Sequence, residues 1–185
     1  MIEDTLREAE TKMKKAIEVA REELASVRSG RVSPGLLSKL TADYYGTPTP
    51  IQQLASVSAP EPRLLVVSPY DRNASAAIEK SIRNSDLGVN PSNDGQVIRL
   101  AFPPLTEERR KDLVKMVRAR VEDTRVAMRN IRRHEKEALE RLERDGEISQ
   151  DELRRAEQRL QQITDKHVAE ADTMLQHKEQ ELLEV

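Results

Sequence analysis

Residues 111–136 read KDLVKMVRARVEDTRVAMRNIRRHEK and contain no glycine or proline, which predicts one long, uninterrupted helix. Cations recur in it mostly every three or four residues, so that their side chains share one row along the helix. We call this the basic row; its members are Lys111, Lys115, Arg118, Arg125, Arg129, Arg132 and Lys136. A second row at the same pitch is mostly apolar and comprises Leu113, Val117, Val121, Thr124, Met128, Ile131, Ala138 and Leu142. Because the first apolar members follow a cation by two residues, we expect the rows to point about 200° apart, with the cations facing outward.

The distribution of charge supports a partner that is a polyanion. The net charge is only −2, but residues 109–133 hold ten Lys or Arg against three acids, whereas residues 149–185 hold five basic residues and nine acids. Separation of opposite charges onto different helices gives a directed field. The alternative is that the basic row is simply a solvated helix face.

Composition excludes several classes of protein. The chain has no cysteine, which excludes disulfides and thiolate chemistry, and only four aromatic residues, too few for binding single strands by base stacking. The N-terminus has no apolar targeting segment, and no apolar run reaches the roughly 20 residues that cross a membrane. We therefore expect a cytoplasmic protein that does not bind membranes.

Two further long helices are predicted beside the one that carries the basic row. Residues 2–28 form the first, with a near-heptad of apolar positions. The helix of the basic row is the second and extends over residues 106–145, from a candidate N-cap, Thr106, to an end near Gly146. Ser149 and Glu152 match a capping box that opens the third helix. The short turn between the second and third helices requires them to run antiparallel. The sequence thus predicts an elongated three-helix bundle formed by residues 1–29 and 105–185.

Residues 30–104 form a different kind of segment, since they contain all nine prolines and five of the six glycines. Strand-like stretches at 40–45, 54–59, 63–68 and 96–102 and a helix at 72–86, capped by Asp71, predict a small inserted β/α/β domain. The overall class is α+β. The two connections to the bundle contain Ser29, Gly30, Arg31, Pro103 and Pro104, and we expect them to act as a hinge, the alternative being a rigid corner.

The sequence gives no sign of an enzyme. It contains no phosphate-binding loop, dinucleotide fingerprint or nucleophile elbow, and its three histidines lack metal-ligand spacing. His167 falls in the apolar row of the third helix, so we expect it in the core. We expect no catalytic residue, metal or cofactor.

Several strings of the chain closely resemble the bacterial ribosome recycling factor family over its whole length. They are VRSGR (27–31), DYYG (43–46), IRNSDLGVNP (82–91), NDG (93–95), LTEERR (105–110) and VAMRNIRR (126–133). The resemblance implies an L-shaped, monomeric translation factor whose bundle binds large-subunit rRNA. It also implies that the factor, with elongation factor G and GTP, dissociates the post-termination ribosome into subunits for reuse, and that GTP hydrolysis belongs to the partner.

The resemblance also implies which residues contact rRNA. It indicates Arg129, Arg132 and Arg133 as principal contacts, with Arg28 and Arg110 as secondary ones. The basic row adds Arg118, Arg125 and Lys136. Arginine suits this role because its planar fork can hold two phosphate oxygens.

Three expectations remain. Relatives usually have a small residue at position 135; here it is Glu135, which we expect at the edge of the apolar row, paired with a basic residue.

Tyr44 and Tyr45 are expected to pack within the inserted domain. There are two alternative functions. A coiled-coil adaptor is expected to hold a stable partner or to dimerise through the apolar rows, and a general RNA chaperone is expected to bind any duplex RNA with similar affinity.

Overall fold

A computed structural model describes residues 1–184 and confirms the α+β class. The chain forms two compact units, which we describe separately. The first unit comprises Met1–Glu23 and Lys115–Glu179, and the second comprises Leu24–Val114 and the C-terminal segment from Gln180. The domain limits predicted above, at residues 29/30 and 104/105, stay a prediction.

The first unit consists of the greater part of three long helices: α1 (Ile2–Ala25), α4 (Glu107–Arg144) and α5 (Gln150–Leu183). Their buried side chains meet in a cluster to which all three contribute: Leu6, Ala9, Leu139, Ala156 and Leu160. The predicted apolar rows are confirmed as the packed faces. His167 is 1% exposed, as expected.

Ion pairs between the helices fix their directions. Arg125 of α4 pairs with Asp172 of α5, and Lys136, further along α4, pairs with Glu157, which lies earlier in α5. These two helices therefore run antiparallel. Arg21 of α1 pairs with Glu170, and Glu3 pairs with Arg159, so that α1 and α5 run in the same direction.

The turn between α4 and α5 has the predicted stop and start signals. Gly146 has a φ of +75°, its N–H donates to the Glu143 carbonyl, and the Glu147 N–H donates to the Leu142 carbonyl. This is a Schellman motif, and it requires the left-handed conformation that glycine adopts most easily. The Ser149 hydroxyl then accepts from the Glu152 N–H at 3.2 Å, while the Glu152 carboxylate accepts from the Ser149 N–H at 2.7 Å. The capping box is confirmed.

The second unit contains a four-stranded antiparallel sheet made of β3 (Ala55–Glu61), β4 (Leu64–Pro69), β5 (Pro91–Asn93) and β6 (Ile98–Ala101). The strand order in this sheet is β3-β4-β6-β5. Helix α3 (Ser75–Arg83) completes a core in which Leu65, Val67, Ile78, Ile82, Ile98 and Leu100 are fully buried. The alternation of buried and exposed residues in β6 is the pattern expected of a strand with one face on the core.

A hairpin of β1 (Thr41–Tyr44) and β2 (Thr47–Pro50) precedes the sheet and is followed by the short helix α2 (Ile51–Leu54). Its two-residue loop, Tyr45-Gly46, has φ values of +50° and +83°, which is the left-handed geometry of a type I′ turn. The loop turns Tyr45 outward, and this residue is 76% exposed. Within the inserted segment it packs against Tyr44, whose ring centre lies 4.6 Å from its own, whereas Tyr44 also contacts the core. The Tyr44 hydroxyl donates to Asp71 at 2.9 Å.

Strands β2 and β5 were missed by the sequence pattern, and the predicted helix was too long. β2 contains Pro48 and Pro50, and β5 has only three residues, beginning with Pro91; proline normally argues against a strand because it cannot donate to the ladder. Asp71 caps as predicted, but it caps a 3₁₀ turn at Arg72–Ala74, after which α3 begins. Among residues 1–184, no helix is long and apolar enough to cross a bilayer.

Candidate nucleic-acid interface

The basic row lies entirely on α4, but its orientation differs from the prediction. It flanks the buried face on the side of α5. Arg118 Nε lies 2.5 Å from a Glu179 oxygen, and Arg125 Nε lies 2.8 Å from Asp172 Oδ1. The expectation that the whole row faces away from the bundle is therefore wrong.

The geometry of a helix explains this correction. Arg125 follows the buried Thr124 by one residue and precedes the buried Met128 by three. At about 100° per residue, its side chain points about 100° from the first and 60° from the second, which is beside the core and not opposite it. The apolar residue two positions after a cation points about 200° away from it, whereas those one position before and three positions after lie much nearer in direction.

Acids on α4 itself neutralise further members of the row. Glu122 accepts from Arg129 at 2.7 Å and from Arg125 at 3.0 Å. Hydrogen bonds from Arg125 and Arg129 lower the pKa of Glu122, so that this carboxylate stays ionised. Lys111 pairs with Glu107 at 3.1 Å. The field of α4 is consequently weaker than the count of its cations suggests.

Some cations of α4 keep their charge uncompensated. Lys115 and Arg132 of the basic row form no ion pair with any of residues 1–184, and neither does Arg133, which is exposed next to Arg132. Lys136 has only long contacts, 3.7 Å to Glu140 and 3.8 Å to Glu157. These four side chains are the part of the predicted interface that is available to an external anion.

Arg28, predicted as a secondary RNA contact, lies in the second unit and is half-buried. Its Nη2 donates to the Pro103 carbonyl, and its guanidinium carbon lies 5.1 Å from the centre of the Phe102 ring. Its Nε is buried without a hydrogen-bond partner among the described residues. Burial, together with the charge of Arg63, lowers the pKa of Arg28. The side chain thus ties the first connection of the inserted segment to the second.

The other predicted residues of the connections also belong to the second unit. Ser29 is 7% exposed, and its hydroxyl donates to the Arg31 carbonyl at 2.7 Å. A Cβ on Gly30 would lie 3.1 Å from the Glu184 carbonyl oxygen, so this position is tightly packed. Pro103 and Pro104 are exposed. Arg110 is half-buried, and its Nε has no hydrogen-bond partner within residues 1–184.

Glu135 is paired as expected but is not at the edge of the apolar row. It is 3% exposed, within the core of the first unit. Lys12 Nζ of α1 lies 2.7 Å from its Oε1, so the carboxylate is compensated. The expected partner is confirmed, and the expected location is wrong because α1 covers this position.

One cation of the surface was missed by sequence reasoning. Arg154 of α5 lines a cleft together with Arg132 and Lys136 of α4. The net negative charge of residues 149–185 concealed it. The pair of adjacent arginines, Arg154 and Arg155, directly after the capping box was the available signal.

Comparisons with known proteins agree on one family. The ribosome recycling factor family model matches residues 20–183. The ribosome-recycling factor of Acidothermus cellulolyticus is 60% identical over 185 residues, and that of Thermomicrobium roseum is 56% identical, with 100% of both chains covered in each case.

Solved structures give the same result. A solution structure of the ribosome recycling factor aligns with a TM-score of 0.80 at 44% identity, covering 100% of this chain and 98% of the other. A second structure describes models for the T. thermophilus ribosome recycling factor and the E. coli elongation factor G bound to the E. coli post-termination complex. It aligns with a TM-score of 0.71 at 48% identity, with full coverage of both chains. With its long helices, its small sheet and full-length matches of this kind, the chain belongs to the ribosome recycling factor family.

Proposed function

We propose that this protein, with elongation factor G and GTP, dissociates the post-termination ribosome into subunits for reuse. Family membership over the full length supports this role, as does the similar factor studied with elongation factor G on a post-termination complex. GTP hydrolysis is left to the partner, because the sequence holds no phosphate-binding loop of its own. The protein then works as a non-enzymatic, monomeric, cytoplasmic factor.

The bundle binds large-subunit rRNA through α4. The observation that carries this step is a set of three cations on one helix that form no ion pair within residues 1–184: Lys115, Arg132 and Arg133. Arg129 holds an exposed ion pair with Glu122, and Lys136 has only long contacts with carboxylates. Both side chains can therefore leave these carboxylates and bind a phosphate. Arg118 and Arg125 contribute mainly to the bundle, since they are paired with α5. Each phosphate neutralised releases condensed counterions, which makes binding depend on salt.

Subunit release uses motion at the two connections, Ser29–Arg31 and Pro103–Pro104, between the bundle and the inserted domain of residues 30–104. Because the chain has no cysteine, a disulfide between one introduced cysteine in each domain can block that motion reversibly. Binding to the ribosome should persist in the oxidised protein, whereas release should stop and should return on reduction. Undiminished release by the cross-linked protein rules out the hinge.

Light scattering tests the main function. Programmed post-termination ribosomes are mixed with the protein, elongation factor G and GTP, and dissociation lowers the scattering. Arg132→Gln should slow this loss severalfold, whereas Arg144→Gln, an exposed cation in the last turn of α4, should not. If the wild type instead bound an unrelated RNA duplex as tightly as it binds the ribosome and caused no loss of scattering, the protein would be an RNA chaperone.

A further inference from the structure

A cleft of about 340 Å³ lies on the surface of the first unit between α4 and α5. Arg132 and Lys136 line it from α4, and Arg154 lines it from α5. We propose that this cleft is a phosphate site, in which Arg132 and Arg154 hold one phosphodiester of the RNA backbone from two sides. The inference rests on the proposed function, and it extends the RNA-binding surface from α4 onto α5.

The charges in the cleft favour an anion. Three cations line it against one carboxylate, Glu157. That carboxylate lies 3.8 Å from Lys136 Nζ, a long contact, and it is the nearest counter-charge within the lining. Arg132 and Arg154 make no ion pair within residues 1–184, and their charges remain for a ligand. Two uncompensated cations facing one concave site concentrate anions there more strongly than a flat surface would.

Neutral groups in the cleft suit a phosphate as well. The amides of Gln158 and Gln161 line it, and Gln161 is already oriented by a 2.8 Å hydrogen bond to Asp165. Leu160, which is 1% exposed, closes the inner side. A guanidinium can donate two parallel hydrogen bonds to one phosphate, and amide donors can complete its shell.

An RNA phosphodiester is favoured over an acidic protein segment because of what surrounds the cleft. Arg133 follows Arg132 on α4 and is exposed without an ion pair among the described residues. Further phosphates of the same strand can reach it, since successive backbone charges repeat along a nucleic acid.

The experiment compares Arg154→Gln with Arg155→Gln. Arg155 is exposed on the same helix, is the next residue along the chain and does not line the cleft, which makes it a matched control. Affinity for the large ribosomal subunit is measured across a KCl titration, and circular dichroism checks that both variants fold. Arg154→Gln should weaken binding about tenfold and lower the slope of log affinity against log salt by about 0.7 to 0.9, whereas Arg155→Gln should change affinity less than about twofold.

A double variant tests whether the two arginines share one phosphate. If they do, Arg132→Gln and Arg154→Gln together should cost less than the product of their separate fold-changes. Equal behaviour of Arg154→Gln and Arg155→Gln, or fully multiplicative effects, overturns the shared site. The shared site is also overturned if Arg154→Gln weakens binding to elongation factor G alone, without ribosomes, as much as it weakens binding to the large subunit. The cleft would then be a binding site for a protein.

The proposed function can fail separately. If the wild type binds the large subunit without salt dependence, the RNA-binding role itself is wrong. If the wild type and Arg132→Gln behave as proposed while Arg154→Gln matches its control, only the phosphate site is wrong.

Discussion

Lys12 of α1 and Glu135 of α4 form an ion pair across the bundle, with 2.7 Å between Nζ and Oε1. The carboxylate side chain is 4% exposed and the lysine 40%, so a nearly buried anion is held by a cation that still reaches water. Glu8 also contacts Lys12, at 2.8 Å. Hydrogen bonds to Glu135 and then to Glu8 raise the pKa of Lys12. The pair thus permits a carboxylate inside the packed core of the first unit.

Loss of the lysine should destabilise the bundle. Lys12→Met leaves Glu135 buried without its partner, and we expect the free energy of unfolding to fall by about 2 kcal/mol, less than for a fully buried pair because Lys12 is partly solvated. Urea denaturation measures the loss. Lys14→Met, an exposed lysine 3.8 Å from Glu10, is the control and should change stability by less than about 0.5 kcal/mol. Combining Lys12→Met with Glu135→Met should restore most of the loss; a further decrease would contradict the pairing argument.

Arg125 and Arg132 should differ in what they support, although both belong to the basic row. Arg125 contacts Asp172 and Glu122 and has a side chain 24% exposed, so Arg125→Gln should cost about 1 kcal/mol of bundle stability. Arg132→Gln should cost less than about 0.5 kcal/mol but should weaken ribosome binding more than Arg125→Gln does. Thermal unfolding and a binding titration on the same samples test both halves. The reverse order of the two variants in either assay would contradict this assignment.

Arg28 should stabilise the second unit through the hydrogen bond of its guanidinium group to the Pro103 carbonyl and through its contact with the Phe102 ring. Arg28→Lys loses the planar guanidinium above Phe102 and weakens the bond to the Pro103 carbonyl, with an expected cost of about 1 kcal/mol. Hydrogen exchange at the Phe102 amide, which donates to the Arg63 carbonyl at 2.8 Å, should be faster in this variant. Arg31→Lys, at an exposed position, should leave that rate unchanged. Unchanged exchange in Arg28→Lys would remove the structural role.

Asp94 should make the stability of the second unit depend on pH in the acid range. Backbone N–H groups of Val97 and Gln96 and the Arg99 guanidinium lower its pKa, the Val97 bond contributing most. Since the folded value lies below the unfolded one of about 3.9, this stabilisation is complete above about pH 5 and is lost as pH falls. The difference in Tm between wild type and Asp94→Asn should therefore narrow between about pH 4 and pH 2. Asp86→Asn, at an exposed position, should show no such narrowing; a constant difference for Asp94→Asn would refute the assignment.

Local signals in the sequence were sufficient for much of this fold. The Thr106 hydroxyl accepts from the Arg109 N–H at 3.1 Å, and the capping box at Ser149 and the left-handed Gly146 lie where the pattern predicted them. Such features depend on residues within one turn of the chain, so a sequence can reveal them. The pairing of strands from distant segments was harder to predict from the sequence. Strands β2 and β5 were missed because their prolines obscure the strand pattern.

The sequence by itself determined the three long helices, the burial of their apolar rows and the family. Only the tertiary structure decided which cations remain available to a ligand: it paired Arg118 and Arg125 with α5 and joined Arg154 to Arg132 in one cleft. The physical reason is that periodicity fixes the direction in which a side chain leaves its own helix. The charge that it meets there belongs to another helix, whose position depends on packing.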